Sequence, residues 1–206
     1  MTLTSTEILL YMGALAILFL TPGPVWVALV ARAVSGGFHA AWPLAMGVVV
    51  GDIIWPLLAI FGVSLLVEVY ADFLTLLRYG GAAILVWMGI RTIRYANKPL
   101  VADGRLNAKG MWAGFTAGLM VIIGNPKAIL FYMGVLPGFF DVNKLTGPDV
   151  AVICLVSGLV PLTGNVIFAL SVGKIREFLS SPAAVRKTNL TAGSALVLVG
   201  AAIAVL

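Results

Sequence analysis

The segment LFLTPGPVWVALV (residues 18–30) places two prolines and a glycine in the middle of an apolar block. A helix needs about 20 apolar residues to cross the roughly 30 Å hydrocarbon core of a bilayer, and the block that contains this segment is long enough. Proline removes a backbone hydrogen bond from a helix, and glycine relaxes its backbone. The segment therefore predicts a membrane-spanning helix that is broken at Thr21-Pro22-Gly23-Pro24.

The composition of the whole chain agrees with a membrane protein. Of its 206 residues, 61% are hydrophobic and only 10% are charged, whereas a soluble domain carries about 25% charged residues. A soluble surface needs more charge than this, so the composition excludes a soluble enzyme, a disordered protein and a nucleic-acid-binding module. We expect the lipid bilayer to surround the chain and no nucleic acid to bind it.

Residue types with catalytic or metal-binding chemistry are scarce. The chain has one cysteine, Cys154, and one histidine, His39. One of each excludes an intramolecular disulfide and a histidine-based metal cluster. Nor does a nucleophile with an adjacent base stand out. We therefore expect neither an enzyme nor a bound cofactor or metal.

Six apolar blocks follow one another, and together they predict an all-α polytopic membrane protein with six transmembrane helices. The approximate ranges are Glu7–Arg32, Ala40–Val67, Phe73–Ile93, Met111–Phe140, Val150–Val172 and Thr188–Leu206. The longest polar connection, Tyr95–Gly110, is too short for a separate domain. Residues 1–206 are therefore expected to form a single transmembrane domain.

The basic residues predict the orientation in the membrane. Connections one, three and five carry most of them, namely Arg32, Arg91, Arg94, Lys98, Arg105, Lys109, Lys174, Arg176, Arg186 and Lys187. The other side carries only Arg78 and Lys144. The positive-inside rule then puts these three connections in the cytoplasm and both termini outside. We expect a multi-pass protein of the bacterial plasma (inner) membrane.

Two stretches half a chain apart resemble each other. Gly51–Leu57 (GDIIWPL) matches Gly164–Leu170 (GNVIFAL) at three identical positions of seven, with three more that are similar. Because each half would hold three blocks, the halves would lie antiparallel, as in many secondary transporters. The sequence thus predicts a 3+3 inverted repeat with halves 1–95 and 110–206. The alternative is that apolar segments resemble each other through composition alone.

Asp52 is a carboxylate in the middle of the second block. Such a residue costs roughly 2.5–3.5 kcal/mol on membrane-insertion scales, so we expect it to face the bundle interior and mark an ion or substrate path. The alternative is a structural carboxylate paired with Arg78 or Lys127. The matching position in the second half is the neutral Asn165.

The fourth block carries a second predicted break, at Gly124-Asn125-Pro126-Lys127. Lys127 could bind a substrate carboxylate, pair with Asp52 or extend along its helix to an interface. Asn125 offers an amide beside the break, or a helix cap. The predicted substrate-binding or coupling residues of both breaks and the buried positions are Pro22, Gly23, Pro24, Asp52, Asn125, Pro126, Lys127 and Asn165.

These motifs together resemble the lysine-exporter (LysE/RhtB) family of amino-acid efflux proteins. The resemblance covers almost the whole chain and rests on Pro22-Gly23-Pro24, on Gly47 to Gly51-Asp52, and on Asn125-Pro126-Lys127-Ala128 leading to Leu136-Pro137 and Phe139. One departure is Gly138, where the family usually has glutamine. The resemblance implies export of amino acids or their derivatives, driven by the proton gradient, without fixing which amino acid.

The residues suggest how such a substrate could be held. Asp52 and freed backbone carbonyls could hold its ammonium, and a half-helix N-terminus, with or without Lys127, its carboxylate. Asp52 could also carry the coupling proton. The runner-up function is a divalent metal-ion exporter of related architecture, although hard cations prefer several carboxylate oxygens. Small-residue runs such as Gly80–Ala83, and Gly114 with Gly118, suit packing within the bundle or a homodimer.

Overall fold

The computed structural model describes residues 2–67, 73–97, 110–171 and 181–205 of the chain. Within these ranges the regular structure is helical and no strand occurs, which confirms the predicted all-α class. Several residues counted for the orientation lie outside the described residues, namely Lys98, Arg105, Lys109, Lys174 and Arg176, as does the side chain of Arg78.

Eight α-helices and one π-helical turn make up the described chain. The helices are α1 (Ser5–Leu20), α2 (Pro24–Val67), α3 (Phe73–Arg94), α4 (Met111–Ile123), α5 (Pro126–Leu130), α6 (Leu136–Phe139), α7 (Gly147–Leu170) and α8 (Pro182–Val205). The π-helical turn, Phe131–Val135, lies between α5 and α6.

Two of these helices are long and apolar enough to span a membrane alone, Gly36–Gly62 within α2 and Gly147–Leu170. Two further spans arise if bent pairs are each counted as one. Ser5–Leu20 meets Pro24–Ala33 at 60°, and Met111–Ile123 meets Pro126–Phe139 at 48°. Both predicted breaks are therefore present. By length and composition the described residues contain two to four candidate spans, so the predicted number of six is not confirmed.

Two glycines divide α2 where the sequence predicts the first connection. Gly37 has a φ of 65°, a left-handed conformation that favours glycine, and the chain turns there between the N-terminal arm of α2 (Pro24–Ala33) and its C-terminal arm (Gly36–Gly62). Arg32 fastens this turn. Its guanidinium is buried and donates from Nε to the Ala40 carbonyl at 3.1 Å and from Nη2 to the Gly110 carbonyl at 2.9 Å. Arg32 is thus a buried residue that stabilises the turn, not an exposed surface charge.

Hydrogen bonds show which helix ends lie together. The backbone N–H of Thr2 donates to Asp149 Oδ1 at 2.9 Å, which joins the N-terminal segment to the start of α7. At the other end, the Asn189 amide donates to the Ala96 carbonyl at 3.2 Å, which joins the start of α8 to the end of α3. The Arg32 to Gly110 bond links the turn in α2 to the start of α4.

Glycines allow the closest helix contacts. A Cβ on Gly47 of α2 would meet the Phe115 carbonyl oxygen of α4, and one on Gly118 of α4 would meet the Leu44 carbonyl oxygen of α2. On α3 and α8, Gly89 faces the carbonyl oxygen of Gly193. The predicted small-residue runs therefore include glycines that pack within this chain.

Candidate functional site

The first break separates α1 from α2. The Thr21 backbone N–H and its Oγ1 both donate to the Ile17 carbonyl, at 3.1 and 2.9 Å, so the helix hydrogen bonding ends here. Pro24 then begins α2 at a position where a missing N–H costs no helical hydrogen bond. The indole of Trp26 donates to the Phe19 carbonyl at 2.8 Å across the break. A side chain thus satisfies one of the carbonyls that the broken helix leaves open.

The second break separates α4 from α5. Asn125 Oδ1 accepts the Lys127 backbone N–H at 3.1 Å, so this side chain caps α5, which was the alternative considered for it. Pro126 follows as the first helical residue. The Trp55 indole of α2 donates to the Ile122 carbonyl, near the end of α4, at 3.3 Å. Trp55 therefore supplies a hydrogen-bond donor to a backbone carbonyl beside the second break.

The Lys127 side chain joins the two breaks. Its ammonium Nζ donates to the Thr21 carbonyl at 2.6 Å and to the Pro22 carbonyl at 3.1 Å. Among the described side chains, Lys127 and Asp52 form no ion pair with each other. Gly23 makes room for the lysine, because a Cβ on Gly23 would lie 2.8 Å from both Cε and Nζ of Lys127.

Asp52 is buried on the C-terminal arm of α2, with 3% of its surface exposed. Its Oδ1 accepts a hydrogen bond from the hydroxyl of Tyr132 at 3.1 Å. Tyr132 belongs to the π-helical turn, which lies just beyond the short α5. The sequence analysis missed this tyrosine. Its signal was a lone phenolic hydroxyl in an apolar block, five residues after Lys127.

Asn165 of α7 is fully buried, and neither Nδ2 nor Oδ1 has a hydrogen-bond partner among the described residues. A buried polar group without a partner costs about 1–3 kcal/mol. Native structures carry few such groups, and each calls for an explanation. Asn165 faces the same cavity as Asp52, which makes its amide available to a ligand.

These groups surround a small cavity between the breaks, which we call the central cavity. Its polar lining consists of Thr21, Asp52, Asn125, Lys127, Tyr132 and Asn165, and apolar side chains such as Phe19, Trp26, Val48 and Ile122 complete it. Its volume is about 60 Å³. An apolar cavity of about 150 Å³ holds a benzene molecule. In this conformation the central cavity is therefore too small for a molecule of the size of benzene.

A second and larger cavity, the vestibule, lies on the other side of the breaks. Its volume is about 440 Å³, and its lining includes Pro22, Pro24, Pro126, Trp87, Arg91 and Tyr95. The Arg91 guanidinium lies over the Trp87 ring, 5.2 Å from its centroid. Sequence reasoning used Arg91 only for orientation. Gly23, Asn125 and Lys127 line both cavities and thus form the wall between them.

The eight predicted site residues therefore come together around the breaks. Gly23, Asp52, Asn125, Lys127 and Asn165 line the central cavity, and the prolines of both breaks line the vestibule.

An ion pair lies outside these cavities, at the connection from α6 to α7, where Lys144 contacts Asp141 at 2.8 Å. The hydrogen bond from Lys144 holds the pKa of the Asp141 carboxyl below its usual value. Because the pair is exposed, it contributes little to the stability of the fold.

Comparisons with known proteins agree with these motifs. The family model described as LysE type translocator matches residues 16–206. An uncharacterized membrane protein of Synechocystis sp. is 35% identical over 201 residues, which are 97% of this chain and 96% of that protein. The leucine efflux protein of Klebsiella pneumoniae is 30% identical over 143 residues, 69% of this chain and 67% of the relative.

A shorter match joins the chain to the chemotactic transduction protein ChpE of Pseudomonas aeruginosa, which is 32% identical over 112 residues, 54% of either chain. No solved structure matches the chain significantly. In the parts of the chain that the structure describes, no three His, Cys, Asp or Glu side chains lie close enough to hold a metal ion.

Proposed function

The chain belongs to the LysE type translocator family, and on that premise we propose that it is a secondary active exporter of amino acids, coupled to protons. Export of amino acids is supported at the level of the family and by the leucine efflux relatives. Members of this family are transporters, which is why we propose transport rather than catalysis.

The observation that carries the proposal is the set of groups around the central cavity. A carboxylate (Asp52), an ammonium (Lys127) and an unpartnered amide (Asn165) surround one space with apolar walls. An amino acid carries a complementary ammonium and carboxylate. In our proposal Asp52 binds the substrate ammonium, and Lys127 with Asn165 binds its carboxylate.

The apolar part of the lining suggests the substrate class. Phe19, Trp26 and Ile122 would surround the side chain of the bound amino acid. Burying a leucine side chain against such a surface is worth about 1.5–3 kcal/mol. A charged side chain would need a further partner of opposite sign. We therefore propose neutral, apolar amino acids, with leucine as the first candidate.

We further propose that the chain spans the inner membrane six times as a 3+3 inverted repeat of one domain, with both termini outside. Support comes from the two bent pairs and from Asp52 and Asn165, which match in the repeat and line one cavity. The hydrogen bonds that join helix ends fit this arrangement, because they group the N-terminal segment with the start of α7. We also propose that the chain forms a homodimer.

Asp52 is proposed to carry the coupling proton, because it is buried and, among the side chains that the structure describes, its Oδ1 has a hydroxyl partner rather than a cation. The divalent metal exporter has no observation in its favour. The family and the leucine efflux relatives favour amino acids instead.

The test measures amino acids released by cells loaded with mixed dipeptides, with and without the protein. Faster release of leucine or related amino acids is expected. Replacing Asp52 with asparagine removes one charged hydrogen bond, worth about 1.5–3 kcal/mol, so release should fall roughly ten- to a hundredfold.

The matched control is Asp141→Asn, the same chemical change at an exposed carboxylate of the α6–α7 connection, and it should release amino acids like the parent protein. Unchanged, gradient-driven release by a membrane-inserted Asp52→Asn variant would contradict the proton role. If cells that contain the parent protein release every amino acid at the same rate as cells without it, the proposed function itself is contradicted.

A further inference from the structure

One flexible side chain, that of Lys127, belongs to the wall between the two cavities, together with Gly23 and Asn125. Lys127 lines both cavities, and its ammonium holds the carbonyls of Thr21 and Pro22 on the opposite break. A substrate that moves directly from the vestibule to the central cavity must pass this shared wall. The contact is closed in this conformation, because Lys127 Nζ is bound to both carbonyls of the first break.

We propose that Lys127 selects amino acids over amines by acting as a gate that only a carboxylate opens. In the closed state its ammonium is bound to the two carbonyls of the first break. The carboxylate of an amino acid in the vestibule takes over these hydrogen bonds, Lys127 leaves the first break, and the central cavity opens. The inference rests on the proposed function, since it concerns the same substrate path.

The exchange is favourable because a carboxylate is the stronger acceptor. The ammonium makes charge-assisted hydrogen bonds to either kind of acceptor, but only a carboxylate adds the Coulomb attraction of an opposite charge. The carbonyls of Thr21 and Pro22 are neutral, so a carboxylate competes with them for the ammonium. Pro22 lines the vestibule, so its carbonyl can find water after the lysine leaves.

Two neighbours fit this role. Gly23 has no Cβ, and a Cβ there would lie 2.8 Å from Nζ and Cε of Lys127, so glycine is what allows the lysine to reach the first break. Arg91 lines the vestibule and places a second cation on the approach. A cationic vestibule raises the local concentration of carboxylates and disfavours simple amines.

The experiment measures access to the central cavity. Val48 lines it, so a Val48→Cys probe in a Cys154→Ala background reports its opening by the rate of reaction with an impermeant maleimide. The reagent is added to vesicles in which the Arg91 end of the bundle faces the medium. L-leucine is added below saturation, so that it opens the contact repeatedly without filling the cavity, and it should accelerate labelling about tenfold, the ratio that corresponds to one charged hydrogen bond. The matched probe 3-methylbutylamine, which is leucine without its carboxylate, should not accelerate it.

Three further variants of the probe protein isolate the lysine. Lys127→Met keeps the length of the side chain but has no donor, so labelling should be fast without leucine and insensitive to it. Gly23→Ala keeps the charge but displaces the side chain, and labelling without leucine should also be faster. Gly13→Ala is its control, since a Cβ there meets nothing within 4 Å, and it should label like the parent.

Equal labelling of the parent, Lys127→Met and Gly23→Ala proteins would overturn the gate, as would acceleration by 3-methylbutylamine. Gly23→Ala keeps the test valid if Lys127→Met does not insert into the membrane. Amino-acid release from dipeptide-loaded cells distinguishes a failure of the gate from a failure of the proposed export function. Normal leucine release together with lysine-independent labelling rejects the gate alone, and the absence of any amino-acid release rejects the function on which it rests.

Discussion

At the scale of single residues, two buried polar side chains behave differently. Asp52 has a partner in the Tyr132 hydroxyl, whereas Asn165 has none among the described residues. The sequence identified both, Asp52 because a mid-membrane carboxylate is costly and Asn165 because it matches Asp52 in the repeat. It could not identify Tyr132, because a tyrosine in an apolar block is equally compatible with packing.

A replacement of Asn165 tests whether its amide serves a ligand at the expense of stability. Asn165→Leu removes a buried amide without a partner and keeps an apolar side chain of similar size. The free energy of unfolding in detergent should therefore rise by about 1–3 kcal/mol, which is measured as a higher thermal midpoint. Leucine release should fall. This combination is typical of a polar group retained for function.

The control is Asn189→Leu, which removes another buried asparagine of a helix. The amide of Asn189 donates to the Ala96 carbonyl, so its loss should lower the thermal midpoint. A lower midpoint for Asn165→Leu as well would show that Asn165 has a structural partner.

At the scale of helices, the positions of the breaks and of the first connection were predictable, whereas the conformations of the turns were not. Prolines at Pro22 and Pro126 end helices for a local reason, the missing N–H, which can be seen in the sequence. The turn at Gly36 and Gly37 and the π-helical turn at Phe131–Val135 depend on how neighbouring helices meet. The sequence analysis placed its first connection between Arg32 and Ala40, where the glycine turn lies, but it did not predict the conformation of that turn or the π-helical turn.

The contact between α2 and α4 can be tested at one glycine. Gly47→Ala would bring a Cβ against the Phe115 carbonyl oxygen, and backbone cannot move aside as a flexible side chain can. Overpacking of this kind costs about 1–3 kcal/mol, so the thermal midpoint should fall. Gly62→Ala, in the same helix, meets nothing within 4 Å and should leave the midpoint equal or slightly higher. Equal effects of the two substitutions would argue against close α2–α4 packing.

At the scale of the whole molecule, the described helix ends form two groups. The N-terminal segment joins the start of α7 through Thr2 and Asp149, and the start of α8 joins the end of α3 through Asn189 and Ala96. Our proposed six-span topology puts the first group outside and the second group in the cytoplasm. The basic residues favour the same assignment.

This topology predicts which sides of the membrane single cysteines face. In a Cys154→Ala background, Thr6→Cys and Asn143→Cys should react with an impermeant maleimide added to intact cells. Asn97→Cys, at the end of α3, should react only in vesicles of inverted orientation. All three positions are exposed, so poor access cannot explain a missing reaction. Reaction of Thr6→Cys and Asn97→Cys from the same side would contradict the proposed topology.

The sequence by itself determined the membrane class, both proline breaks and four of the six polar residues that line the central cavity. Each follows from local chemistry: apolar length, a missing backbone donor, or the cost of a charge in hydrocarbon. Only the tertiary structure decided which partners these residues take. Lys127 binds the carbonyls of Thr21 and Pro22 rather than Asp52, and Asp52 binds Tyr132, over separations of 80 residues or more. Such pairs form because helices far apart in the chain pack together, and no local pattern encodes that.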